Sequence, residues 1–155
     1  MKTLINRKQI QLNVCRALLE NNGRCRACKI NEKEIAVTID GYTAYVFGVN
    51  ECVFDTEKIT TAEGLKPFFD DVENDTEITP SNELYNLNGK IVEKYIGQDI
   101  EVFVDTEVIK QFKGFKLYAN SSRGRILVKD CFDRIIGLCL PMRFNYEDVK
   151  RGTNK

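Results

Sequence analysis

The reactive side chains of this sequence are spaced in ways that limit their chemistry. Of six cysteines, only the pair in Cys25-Arg-Ala-Cys28 has the separation of metal ligands, and a tetrahedral zinc site needs a second pair or histidines, of which the chain has none. A thioredoxin-like redox role would rest on the same two thiols. Cys15 falls in a predicted helix, Cys52 in an unassigned middle stretch, Cys131 in a turn and Cys139 in the last strand. The set reads as reduced, mostly buried thiols of a cytosolic protein, and neither a metal nor a cofactor is expected.

Hydrolysis or group transfer needs an activated nucleophile or an acid and base pair, and the missing histidine removes the commonest general base. No glycine-rich phosphate loop is present. Three acid pairs, Asp70 with Asp71, Asp55 with Glu57, and Glu73 with Asp75, are of the type that holds Mg²⁺. Beside threonine and asparagine they read as a solvated loop. The chain is therefore expected not to be an enzyme.

The formal net charge is zero, but the signs are segregated. Residues 1–30 hold seven basic side chains (Lys2, Arg7, Lys8, Arg16, Arg24, Arg26 and Lys29) against one acid, Glu20. Residues 110–129 hold six basic side chains and no acid, whereas residues 51–80 hold nine acids and two lysines. Lys8, Leu12 and Arg16 form an i, i+4, i+8 row on a predicted helix, nearly opposite the apolar face of Ile10, Val14, Ala17 and Leu18. On a second predicted helix Val108 and Phe112 point inward, leaving Lys110 and Lys113 outside. Solvated helix faces account for such charges without any ligand, and Leu12 in the basic row is consistent with a packing contact.

Tyr42, Tyr45, Phe47, Phe115 and Tyr118 raise the possibility of a base-stacking sheet. Alternation puts Tyr45 and Phe47 on one face and Tyr42 and Ala44 partly on the other, which favours core and edge packing.

The elements that must carry these residues come in two similar series. In the second, a strand over 100–104 leads into a helix with Asp105 as N-cap and Val108, Ile109 and Phe112 on one face; strands follow over 115–119, 125–129 and 134–140. In the first, a strand over 2–5 precedes a helix opened by Asn6 with Gln9 three residues on; strands follow over 26–31, 34–39 and 42–47, the last two joined by a two-residue hairpin at Asp40-Gly41. A supersecondary unit repeated after roughly a hundred residues points to a pseudo-symmetric domain, because solenoid repeats are shorter and more numerous.

Two βαβββ halves in one domain resemble the DNA sliding clamps. The closing residues, Gly124-Arg-Ile-Leu-Val-Lys129, a short acidic turn and Ile135-Ile-Gly-Leu-Cys-Leu-Pro-Met-Arg-Phe144, are similar to the terminus of the bacterial clamp, the β subunit of DNA polymerase III. The similarity covers about forty residues; the first half matches by pattern, residues 48–97 match nothing in the family, and a bacterial clamp subunit carries three such domains where this chain has room for one. The expected fold is an α+β, DNA-clamp-like domain of two pseudo-symmetric βαβββ halves (about 1–48 and 98–144), an acidic insert over about 49–97, and a tail over 145–155.

The resemblance implies a non-enzymatic DNA-metabolism factor. In clamp geometry the helices line a channel, so Arg7, Lys8, Arg16, Arg24, Lys110 and Lys113 would meet duplex DNA phosphates without reading bases. It also implies a cleft for partner peptides at Leu138, Leu140 and Met142, positions equally consistent with core and edge. Expected partners are duplex DNA, replication or mobile-element proteins, and further copies of the chain paired through edge strands, six being needed to close the family's ring. The alternative is a clamp-fold interaction or regulatory module without DNA binding, whose acidic insert docks a basic partner or covers basic helices of its own kind. With no signal-peptide pattern and no run of eighteen apolar residues, no membrane is expected and the compartment is expected to be the cytoplasm.

Overall fold

Short runs of apolar and β-branched residues form strands close to where the sequence places them. The computed structural model describes residues 7–20, 23–70, 74–112 and 115–142. Helix α1 spans Arg7–Leu19, and strands β1 (Arg26–Lys29), β2 (Glu34–Thr38) and β3 (Thr43–Gly48) follow it. Later come β7 (Ile100–Asp105), α2 (Thr106–Ile109) continued by a 3-10 turn over Lys110–Phe112, β8 (Lys116–Ala119), β9 (Ile126–Lys129) and β10 (Ile135–Cys139). The strand expected over 2–5, the helix-opening Asn6, Lys113 and the tail over 145–155 lie outside the described residues.

The insert, whose acid pairs read as a solvated loop, carries regular structure along much of its described length. After 3-10 turns at Val49–Glu51 and Thr56–Lys58 come a two-residue strand β4 (Thr60–Thr61), a 3-10 run over Glu63–Phe69, and two long strands, β5 (Thr76–Leu87) and β6 (Lys90–Gly97). Asn88 and Gly89, at φ of 52° and 88°, join β5 to β6 through a turn with both central residues left-handed. That is the backbone such an Asn-Gly pair favours, so this hairpin had a readable signal. At Asp40-Gly41 the expected two-residue hairpin is a wider loop. Thr38 pairs with Ala44, leaving residues 39–43 outside the β2–β3 pairing, and the Asp40 carboxylate accepts from the N–H groups of Tyr42 (2.7 Å) and Thr43 (2.9 Å).

The architecture is mixed α/β, mostly sheet with few helices. Among the described residues the strands form one ladder in the order β4-β1-β2-β3-β10-β9-β8-β5-β6-β7. Strand β5 changes partner along its length, pairing with β8 through Thr76–Ile78 and with β6 from Thr79 onward, with an irregularity between Pro80 and Leu84. Beyond β10 the chain crosses to the other end of the ladder, where the Met142 N–H donates to the Phe103 carbonyl of β7 at 2.7 Å.

Both helical segments pack on one face. Ile10, Val14 and Ala17 of α1, with Ile109 and Phe112, are buried against Ile35, Val37, Tyr45, Phe47, Ile126, Val128 and Cys139. The alternate residues of the same strands, Ala36, Ala44, Val46, Leu127 and Leu138, form a smaller cluster on the opposite face beneath Phe69. At Gly137 helix and sheet come close: a Cβ there would lie 2.8 Å from the Ala44 carbonyl and 3.0 Å from Phe112 Cε1. No described helix is long and apolar enough to cross a membrane.

Candidate nucleic-acid interface

Helix α1 turns its apolar residues into the sheet because they recur at three- and four-residue spacing, and this fixes the direction of everything else on it. Lys8, Leu12 and Arg16 are exposed as a row; Leu12 is 57% exposed and so is not packed by the described residues. Neither Lys8 nor Arg16 makes an ion pair with a described residue. On α2 the Asp105 carboxylate accepts from the Glu107 N–H at 3.0 Å, capping the helix as its sequence predicts, and Ile109 and Phe112 are buried while Val108 is half-buried. Lys110 is exposed and pairs with Glu107 at 3.3 Å, a contact too solvated to remove its charge from the surface.

Arg7 has a different position. Its guanidinium lies 4.7 Å from the centre of the Phe47 ring, donates to the Val46 carbonyl at 3.1 Å and pairs with Glu51 at 2.5 Å. Glu51 also accepts from the Gly48 N–H at 2.6 Å, so one acid of the insert closes both the end of β3 and the start of α1. Arg7 is thereby committed to the fold, unlike the neighbouring Lys8. Gln11, 7% exposed, extends the same join: its amide donates to the Glu51 carbonyl at 3.0 Å and accepts from the Val53 N–H at 2.6 Å. Arg24 is exposed at the turn into β1.

The second basic segment is also partly consumed. Arg125 is buried against Asp75 at 2.8 Å, and Lys129 lies 4.6 Å from the centre of the Tyr118 ring and pairs with Asp133 at 3.4 Å. Acids of the insert thus neutralise one arginine from each basic segment. Sequence reasoning missed this, since Glu51 and Asp75 meet Arg7 and Arg125 only through tertiary contact.

Between the helices, Asn13, Arg16, Glu20, Asp40, Tyr45 and Gln111 line a shallow groove. The Tyr45 hydroxyl donates to Gln111 Oε1, and its pKa is pushed up by burial first and then by the Asp40 and Cys139 charges, with the Gln111 contact opposing. Tyr45 and Phe47 are core residues, Tyr42 is 61% exposed, and Phe115 and Tyr118 are half-buried.

Leu138 is 3% exposed beneath Phe69, while Leu140 and Met142 are half-buried along the crossing to β7. The three proposed peptide contacts therefore do not form one accessible surface. Cys25 enters the core below α1, whereas Cys28, an odd number of residues along an extended chain, turns to the other side and donates to its neighbour's carbonyl at Lys29 (3.5 Å). The pair cannot converge on one ion in this backbone, and no cluster of three or more cysteines and acids suited to a metal occurs among the described residues. No family model, no curated protein and no solved structure matches the chain.

Proposed function

We propose that the chain is a non-enzymatic, cytoplasmic DNA-metabolism factor of the clamp type, holding duplex DNA without sequence preference against the α1 and α2 side of its sheet. The observation that carries this reading is the strand order. Around the central β3 and β10 pair the ladder runs β1-β2-β3 from one side and β8-β9-β10 from the other. Each set follows a helical segment, and both segments pack on the same face. That mirrored order supports two βαβββ halves related by a pseudo-two-fold axis, with the β5 and β6 hairpin as the addition specific to this chain. Lys8, Arg16 and Lys110 then present positive charge on one side, which is what phosphate contact requires. Edge pairing into a ring of six, with a replication or mobile-element protein as client, is the assembly this reading expects.

Replacing Lys8, Arg16, Lys110 and Lys113 together by Glu should abolish retention of a circular duplex while the far-ultraviolet spectrum stays unchanged. Before that loss, the slope of log K against log salt should fall by about 0.9 for each phosphate contact removed singly. Unchanged retention would discard the interface. Light scattering across protein concentration, with and without a circular duplex, tests the ring: a duplex-dependent assembly released on linearisation supports it, and a monomer indifferent to DNA rejects it.

A second reading is favoured by the Glu51 and Arg7 pair and by the Asp75 and Arg125 pair, in which the insert neutralises basic residues within one protomer. On that reading the chain is a clamp-fold interaction module in which DNA affinity has been reduced. Glu51→Gln should then raise non-specific DNA binding, whereas the first reading expects no change.

A further inference from the structure

Strand β1 would form one margin of the ladder if β4 did not cover it. Thr60 and Thr61 pair in parallel with Arg26 and Ala27, and the Ala62 N–H donates to the Ala27 carbonyl at 2.9 Å. The chain then turns under the sheet as a 3-10 run over Glu63–Phe69, laying Leu65 and Phe69 on the cluster of Ala36, Ala44, Val46, Leu127 and Leu138. Phe69 is 7% exposed and is the one buried residue of that run; Phe68 beside it is 40% exposed. The cover is held at its far end by Arg125, whose Nε donates to the Phe68 carbonyl at 2.7 Å and whose Nη2 donates to the Asp70 carbonyl at 3.3 Å.

This cover is weak by construction. Its ladder is two residues long, where independent strand pairing needs more. Its 3-10 run of seven residues exceeds the three or four that the geometry tolerates well, and Pro67 inside it removes a donor. Its apolar anchors are Phe69 and the half-buried Leu65, and its polar anchor is the pair of bonds from Arg125. The sheet beneath is strongly determined, with Ala36 and Leu127 wholly enclosed. A weak cover over a rigid apolar face opens locally at far lower free energy than the sheet unfolds. Beside Phe69 the groove continues over the half-buried Ile30 and Ile135, with the buried Val46 at its floor and Lys33, Glu34 and Asp133 on its rim.

We propose that residues 60–70 are a releasable strap, and that the β1 edge with the apolar face beneath it is a peptide acceptor site filled in cis by the chain's own segment. The occupant in trans is a segment of a partner protein with the strap's chemistry. It has two extended residues to pair with β1 and a phenylalanine to replace Phe69. A further apolar residue fills the groove over Ile30, Val46 and Ile135 that the strap leaves open. A second copy of this chain would bring only the same strap and leave that groove empty, so the extra contact favours a different partner. Recognition would combine strand addition with an aromatic anchor. The site stands on the face opposite the helices and does not depend on DNA binding.

The test begins with amide hydrogen exchange of the full chain. The N–H groups of Leu65 and Asp70, which donate to Ala62 (3.0 Å) and Pro67 (3.1 Å), should exchange about a hundredfold faster than those of Leu127 and Val128. Protection equal to that of the sheet overturns the strap. The second arm uses a fluorescein-labelled peptide of residues 59–70 as probe. Phe69→Ala should bind it about tenfold more tightly than the wild-type chain, whose own strap competes, and the peptide carrying Ala at the Phe69 position, with Phe68 kept, should not bind. Equal binding by both chains, or none by a Phe69→Ala variant whose sheet amides stay protected, overturns the acceptor site. Loss of sheet protection in Phe69→Ala would mean that Phe69 belongs to the core and would reject the strap. A wild-type chain that dimerises by exchanging the segment would replace the partner with a second copy.

Discussion

The Asp75 carboxylate and the Arg125 guanidinium lie 2.8 Å apart with side chains 0% and 6% exposed, so the last acid before β5 is joined to the residue that opens β9 in a site closed to water. Removing one partner of such a pair leaves a buried charge uncompensated, which costs about 3–5 kcal/mol. Arg125→Met should therefore lower the urea midpoint strongly, and Asp75→Leu in the same chain should restore part of the loss. A purely additive double variant would show that the two side chains act separately.

Neighbouring cations of α1 should respond in opposite ways. Arg7→Ala removes the contacts to Val46, Glu51 and Phe47 and should cost about 1–3 kcal/mol in denaturant unfolding. Lys8→Ala and Arg16→Ala should fall within about 0.5 kcal/mol of the parent, because each is exposed and makes no ion pair with a described residue. A stability loss at Lys8 equal to that at Arg7 would contradict the division between structural and available charge.

Gly137→Ala should destabilise by about 1–3 kcal/mol, measured by thermal or urea unfolding. The added methyl would sit 2.8 Å from a backbone carbonyl of β3, which cannot move without breaking its ladder, and 3.0 Å from the Phe112 ring. Phe112→Leu in the same chain should relieve only the second clash.

Alkaline stability should reflect the enclosed thiols. Burial raises the Cys139 pKa from an ordinary 9.0 to about 12, and burial also raises that of Cys25. The folded state then holds these protons more tightly than the unfolded state. The stability this represents is fully present below about pH 9 and declines as pH rises toward 12. Cys139→Ala should flatten its share of that decline in a series of melts against pH. At neutral pH a thiol reagent should modify the exposed Cys131 first and reach Cys25, Cys28 and Cys139 only on unfolding.

Strand placement was legible where short runs of apolar, β-branched and aromatic residues lie between turn signals. The segments around Ala27, Val37, Val46, Val128 and Leu138 are such runs, buried on both faces, and the structure differs from expectation there by one or two residues at the ends. The insert was less legible because β5 is largely exposed, and a strand with polar residues on both sides carries no alternation to read. Its Asn88-Gly89 turn was the available sign. The width of the Asp40-Gly41 loop was set by side-chain bonds from Asp40, which local propensity alone does not specify.

By itself the sequence determined the apolar side of each helix and most strands, because burial periodicity is a local property of the chain. It also determined that basic and acidic residues fall in separate segments. Only the tertiary structure decided which charges remain available. Ion pairing depends on distances between residues remote in sequence, and folding brings Glu51 to Arg7 and Asp75 to Arg125 while leaving Lys8 and Arg16 exposed. It likewise decided that Leu138 is covered by Phe69, since residues that alternate correctly for a sheet face carry no record of what lies on that face.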